Sequence, residues 1–89
     1  MITFPQIEQK IIQYLQMNKD YWFYTEQINR NLQLNIDNMK LNSILGKLYN
    51  QGDLDYKKAG IINIEEIYPD KEIKEKGINP NALVFKFLS

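Results

Sequence analysis

The chain contains no cysteine and no histidine. Without cysteine there is no disulfide framework and no thiolate metal site. Without histidine it lacks the commonest general base and metal ligand at neutral pH. Arginine is almost missing too: Arg30 is the one arginine among eleven basic residues, so bidentate readout of guanine is thinly supplied. No glycine pattern of the P-loop or dinucleotide-binding kind occurs. No apolar run approaches the roughly 20 residues that span a bilayer. The start, Met1-Ile2-Thr3-Phe4-Pro5, has no basic n-region, so no signal peptide is expected. A cytoplasmic protein without a membrane role follows as the expectation.

These absences leave little for catalysis. A nucleophile would have to come from Ser43, Thr3, Thr25 or a lysine, and spacing places no base beside any of them. Glu65 and Glu66 are adjacent, so on a strand they face opposite sides and form no carboxylate pair. Asp53 and Asp55 share a strand face, but two exposed carboxylates are ordinarily just solvated. No enzymatic activity, cofactor or metal is expected.

What is present is one small domain. At 89 residues the chain can bury only a marginal core. A hydrophobic share of 44% with 25% charged residues is ordinary for a soluble globular protein. The formal net charge is zero. Nucleic-acid binders usually carry a basic excess, because phosphate neutralisation supplies most non-specific affinity. The abundance of Ile, Asn, Lys and Tyr points to an A/T-rich coding sequence, which lowers the weight of any single Asn or Lys.

The clearest element is a helix over about 38–51. Asp37 has the chemistry of an N-cap, and Ile36 with Leu41 has the spacing of a hydrophobic staple. Leu41, Ile44, Leu45 and Leu48 form an apolar stripe, and Gly52 can take the left-handed conformation that ends a helix. An earlier helix is expected over about 4–17, opened by a Thr3–Gln6 capping box, with Phe4, Ile7, Ile11, Tyr14 and Leu15 on one face. Tyr21-Trp22-Phe23-Tyr24 is β-prone and large on both faces, so both need apolar cover. Thr25 is the expected cap of a helix over about 26–33, which buries Ile28 and Leu32.

Strands are expected over about 53–58 and 82–88. Leu54 and Tyr56 make one half-buried face, and Leu83, Phe85 and Phe87 share another. Between them, 59–81 is an insert. Ile61 to Tyr68 is strand-prone and, as a strand, forms a tight hairpin through Lys58-Ala59-Gly60. Asp70 to Lys76, ending at Gly77, reads as one or two turns of polar helix. Its mixed charges favour a solvated segment with local ion pairs.

The residues from Thr25-Glu26-Gln27-Ile28 to Leu32, then Ile36, Leu41, Leu45, Leu48, Gly52 and Leu54, carry a likeness. Their order of helix, short strand, helix, turn, helix, glycine and hairpin resembles the winged-helix (winged helix-turn-helix) superfamily. The resemblance spans about Phe4 to Leu88. It implies an α+β fold: a three-helix core, a two- or three-stranded antiparallel sheet and a wing opened by the Gly–Leu step. One feature departs from it. The insert is long for a wing and carries Glu65, Glu66, Asp70, Glu72 and Glu75, where a DNA-gripping wing tip is basic.

On this likeness the third helix is a candidate DNA reader. Opposite its apolar stripe lie Met39, Ser43, Gly46 and Asn50, with Asn42 on one flank and Lys40 and Lys47 on the other. Asn can read adenine and Lys can hold phosphate. Lys57 and Lys58 add candidate phosphate contacts near the wing. Double-stranded DNA is one expected partner, and transcription regulation the corresponding role. The other reading is a winged-helix protein-interaction module without DNA contacts. It would use a homodimer or partner surface made by Val84, Leu88 and the insert. The alternative for Val84 and Leu88 is that the Ile-rich insert folds back over that strand.

Overall fold

The aromatic stretch that is large on both faces determines the layering, because each face receives its own cover. The computed structural model describes residues 4–88, with the Phe4 side chain and Thr3 lying outside the description. The expected Thr3–Gln6 capping box and the inward Phe4 ring therefore fall outside the described residues. Along the chain come α1 (Phe4–Met17), β1 (Phe23–Tyr24), α2 (Thr25–Leu32), α3 (Asn38–Asn50) and β2 (Leu54–Lys58). Two 3-10 turns (Ala59–Ile61 and Ile64–Glu66), α4 (Lys71–Lys76) and β3 (Leu83–Phe87) follow. The result is a small α+β domain whose three strands form an antiparallel sheet in the order β1-β3-β2. This arrangement is compatible with the winged-helix order. Among the described residues no helix is long and apolar enough to cross a membrane.

The register assigns the faces. Phe23 and Tyr56 both lie opposite Phe85, and Leu54 opposite Phe87. Opposed residues share a face, so this side meets the helices. Phe23, Leu54 and Phe85 pack there with Ile7, Ile11 and Leu15 of α1, Ile28 of α2, and Leu41, Ile44, Leu45 and Leu48 of α3. On the other side Tyr24 and Lys57 lie opposite Val84. Trp22, Tyr24 and Val84 are covered there by Ala59, Ile62 and Ile67 of the insert. The protein is therefore three layers: helices, sheet, insert.

Local signals set α3. The Asp37 carboxylate accepts the Met39 N–H at 2.7 Å, offsetting one of the unpaired donors of the first turn. At the far end Gly52 adopts φ +86°. Its N–H reaches the Tyr49 carbonyl and the Asp53 N–H reaches the Leu48 carbonyl, both at 3.0 Å, the paired bonds of a Schellman ending. Between α2 and α3, Gln33 and Asn35 both take positive φ (53° and 55°). The Asn29 amide holds this bend by donating to the Ile36 carbonyl at 2.7 Å.

Three expectations are corrected. Thr25 does not cap α2; Tyr24 occupies the N-cap position, and its N–H is accepted by the Gln27 Oε1 at 2.9 Å. The Thr25 hydroxyl instead donates to the Asn42 side chain on α3. Ile61 to Tyr68 is not a hairpin strand, because β2 takes β3 as its partner across the whole insert. Gly60 tucks against Pro80, donating to its carbonyl at 3.0 Å, and a Cβ there would meet the Pro80 Cβ at 2.9 Å. Ile62 and Ile67 then turn inward, leaving one isolated parallel bridge between Ile67 and Trp22. Finally, Val84 is fully buried, because the insert folds back over it. It supplies no partner or homodimer surface, although Leu88 stays exposed.

The two glycines of the α3 region should respond in opposite senses. Gly52→Ala is expected to cost about 1–2 kcal/mol, the penalty of a left-handed L-residue, with no clash to add. Gly46→Ala, mid-helix with nothing within 4 Å of the new methyl, is expected to stabilise by up to about 1 kcal/mol. Urea midpoints measure both, and a shift of the same sign in the two variants contradicts the assigned cap.

Candidate nucleic-acid interface

With Leu41, Ile44, Leu45 and Leu48 buried, the opposite side of α3 faces out. Met39, 78% exposed, stands on this ridge with Ser43, Gly46 and Asn50. Ser43 donates back to the Met39 carbonyl at 3.2 Å, which keeps its hydroxyl close to the helix. The flanks differ in neighbour. Lys47 lies on the α1 side, its Nζ 2.8 Å from the Glu8 Oε1, and Lys40, seven residues earlier, shares that flank. Asn42 lies on the other side, tied to Thr25 of α2.

The two wing lysines are separated by the sheet. Strand alternation puts Lys58 on the same side as Tyr56 and the helices. Lys57 points to the opposite side, with its Nζ 5.5 Å from the Trp22 ring centroid. Lys86 approaches the same ring at 5.5 Å, so Lys57 belongs to a cation–π cluster on the back of the sheet. Lys58 thus lies on the same side of the sheet as α3, whose outer surface and flanks carry Met39, Lys40, Asn42, Ser43, Lys47 and Asn50, and Lys57 does not.

Two side chains of this surface escape a reading by pattern. Tyr49 and Tyr56 pack edge to face with centroids 4.6 Å apart, joining the end of α3 to β2. Tyr56 alternates with buried Leu54, which makes it look like a core residue. Tyr56 nevertheless remains 39% exposed at the middle of β2, an outer strand of the sheet, while Tyr49 is 41% exposed. The signal for Tyr49 is its seven-residue spacing from Asn42, two helical turns along the same flank.

The acidic insert lies elsewhere. Its apolar residues face Trp22, Tyr24 and Val84, the sheet side opposite α3, and polar bonds fix it there. The Trp22 N–H donates to the Glu66 carbonyl at 2.7 Å, and the Tyr68 N–H to the Trp22 carbonyl at 2.8 Å. The Tyr68 ring stacks on Phe23 at 4.7 Å. The Gln27 amide, 2% exposed, donates to the Tyr68 carbonyl at 2.9 Å and to Asp70 at 2.8 Å. Arg30 bonds Asp70 at 2.7 Å and also Glu72. The Tyr24 hydroxyl accepts the Asn79 N–H at 3.0 Å. Within α4, Glu72 pairs with Lys76 at 2.9 Å.

These contacts act on the carboxyls. Partial burial pushes Asp70 up, but the Ile73 N–H, the Gln27 amide and Arg30 together hold it below the usual carboxylate range. Glu72 is also lowered, first by its bond to Lys76 and then by the charges of Lys76 and Arg30. A cavity of about 250 Å³ lies between α2 and α4. Arg30, Glu72 and Lys76 in its wall already bond one another, so its charges are internally balanced. Among the described residues no three acidic side chains gather to hold a metal.

The surface of α3 can therefore offer amide and hydroxyl hydrogen bonds, one apolar contact and flanking ammonium groups. No family model, curated protein or solved structure matches the chain.

Gln27→Ala leaves the Tyr24 N–H and the Tyr68 carbonyl without this partner and takes one donor from Asp70, which keeps Ile73 and Arg30. It is expected to cost about 2–3 kcal/mol in urea unfolding, the range for stranded buried groups. The lowered Asp70 gives stability that is complete above the ordinary Asp range of about 4 and lost as pH falls through its depressed folded value. Asp70→Asn should therefore flatten the acid limb of stability against pH. An acid limb identical to wild type contradicts the Asp70 assignment.

Proposed function

We propose that the chain is a DNA-binding winged-helix module, a transcriptional regulator or accessory protein, that seats α3 in the major groove. The carrying observation is the placement of the insert. Its apolar residues cover the sheet side opposite α3, and its acids Asp70 and Glu72 are held by Gln27 and Arg30 of α2. From Asn38 to Gly52 the sequence has no carboxylate. Beside that helix Asp37 serves as its cap and Glu8 pairs with Lys47, while Asp53 follows Gly52 with its N–H on the Leu48 carbonyl.

In this reading Asn50 and Ser43 reach base edges, and Met39 offers apolar contact to a thymine methyl. Gly46 lets the helix approach closely. Lys40, Lys47 and Lys58 hold phosphates, with Lys47 exchanging Glu8 for the DNA. Lys57 takes no part. The helix, strand, helix, turn, helix and hairpin order, with β2 paired to β3, supports the winged-helix assignment, and a cytoplasmic location goes with it. A second reading, a winged-helix protein-interaction module, is favoured by the 78% exposure of Met39 on the ridge.

Titration of a fluorescent mixed-sequence duplex separates the two. Binding is expected at about 50 mM salt, with a log–log salt slope near −3 for about three phosphate contacts. The Lys47→Glu/Asn50→Glu double variant should abolish it with the far-UV spectrum unchanged, and Lys57→Glu should leave it nearly intact. Absence of wild-type binding at that salt, where phosphate contacts are strong, contradicts the DNA reading and leaves the interaction reading standing.

A further inference from the structure

We infer that the open edge of β2 pairs with the same edge of a second copy of this chain, antiparallel and in register about Tyr56. The surface is separate from the α3 ridge, and the inference does not rest on the DNA-binding reading. β2 is an outer strand of the sheet, and the bonds at its two ends set the direction of its backbone groups. The Leu88 N–H donates to the Asp53 carbonyl at 3.0 Å, and the Ala59 N–H to the Ala82 carbonyl at 2.9 Å. By alternation the odd-numbered residues of β2 turn their N–H and C=O groups toward β3, and the even-numbered ones turn them outward. Among the described residues the outward Tyr56 N–H meets only the Asp55 carboxylate, at 2.9 Å. An unpaired strand edge is a template for another strand. Leu54 is fully buried, whereas Tyr56, Lys57 and Lys58 are exposed, so the available ladder is short and centred on Tyr56.

The sequence of this edge is complementary to itself. A twofold axis at Tyr56 sets Tyr56 opposite its counterpart and Asp55 opposite the partner's Lys57. The two Tyr56 residues exchange N–H···O=C bonds, and Asp55 gives up the local bond that it accepts in one copy. Asp55 and the partner's Lys57 form a non-hydrogen-bonded pair, the kind with Cα atoms about 4.5 Å apart and side chains closest. Within its own sheet Asp55 already stands opposite Lys86, so the charges alternate in sign across the joined sheets. On the helix side the same register continues an aromatic row. Phe23 lies opposite Phe85, and Phe85 opposite Tyr56. The partner's Tyr56 extends that row across the axis, with Tyr49 packed against it in each copy. Aromatic pairs and opposite charges are the stabilising cross-strand neighbours of a sheet, and like charges directly opposite are destabilising. A register centred on Asp55 or on Lys57 sets like charges face to face, so the edge favours the one about Tyr56.

Charge swaps test this register, because each substitution acts twice in a twofold pair. Wild type, Asp55→Lys, Lys57→Asp and the Asp55→Lys/Lys57→Asp double variant are followed by analytical ultracentrifugation up to about 1 mM, the weak end of association. Far-UV circular dichroism checks the fold of each. Wild type should show a concentration-dependent monomer–dimer equilibrium. Each single variant should associate about tenfold more weakly, since two attractive pairs become repulsive. An equimolar mixture of the two single variants should recover the association, and so should the double variant, because both restore opposite charges across the axis. Wild type that stays monomeric throughout overturns the inference. Single variants that associate as wild type does also overturn it, since another surface then makes the contact. Folded swaps that fail to recover the association reject the register. Asp55→Lys also meets Lys86 within the sheet; if its spectrum changes, Lys57→Asp decides alone, with the same loss expected and wild-type association overturning the inference.

Discussion

The buried Gln27 amide is the joint on which the architecture depends. Its oxygen accepts the N–H at the start of α2, and its nitrogen donates to Tyr68 and Asp70 of the insert. A primary amide is suited to this place because it accepts and donates at once without bringing in a charge. No buried side-chain polar atom among the described residues lacks a partner, so this joint carries no desolvation cost from stranded groups. Around it, Arg30 gathers Asp70 and Glu72, and Trp22 exchanges backbone bonds with Glu66 and Tyr68. The exposed ion pairs are worth little singly. Their effect is to fix where the insert lies.

That placement has an electrostatic result. A mixed-charge chain of zero net charge keeps Asp70 and Glu72 of its insert against α2 and leaves an uncharged ridge on α3. The field at α3 depends on the charges within about a Debye length of it, about 8–10 Å in physiological salt, more than on the chain total. The same folding back covers Val84 and the outer side of Trp22, surfaces that would otherwise be apolar and exposed. Packing and charge separation thus come from one structural decision.

Legibility in the sequence divides along the same line. The cap at Asp37, the stripe from Leu41 to Leu48 and the stop at Gly52 are local signals, and α3 follows them closely. The aromatic stretch announced that both its faces need cover, and Phe23 and Trp22 indeed fall in separate clusters. The insert was opaque because its contacts are remote: Gln27 meets its partners 41 and 43 residues away. Nothing near Gln27 in the chain marks it as buried. The α3 ridge and its lysine flank were readable from helical period alone. The separation of Lys57 from Lys58 was also implicit in strand alternation, whereas alternation does not distinguish exposed Tyr56 from buried Leu54 on the same face.

The central claim is that α3 and the adjoining tip of β2 face the ligand while the acidic insert stays behind. Amide chemical-shift changes on adding a short duplex to isotopically labelled protein at low salt test it most directly. The largest changes are expected at Met39, Ser43, Gly46, Asn50 and Lys58, with the signals of Ile62 to Lys76 nearly still. Changes concentrated in the insert, or none anywhere on α3, would contradict it.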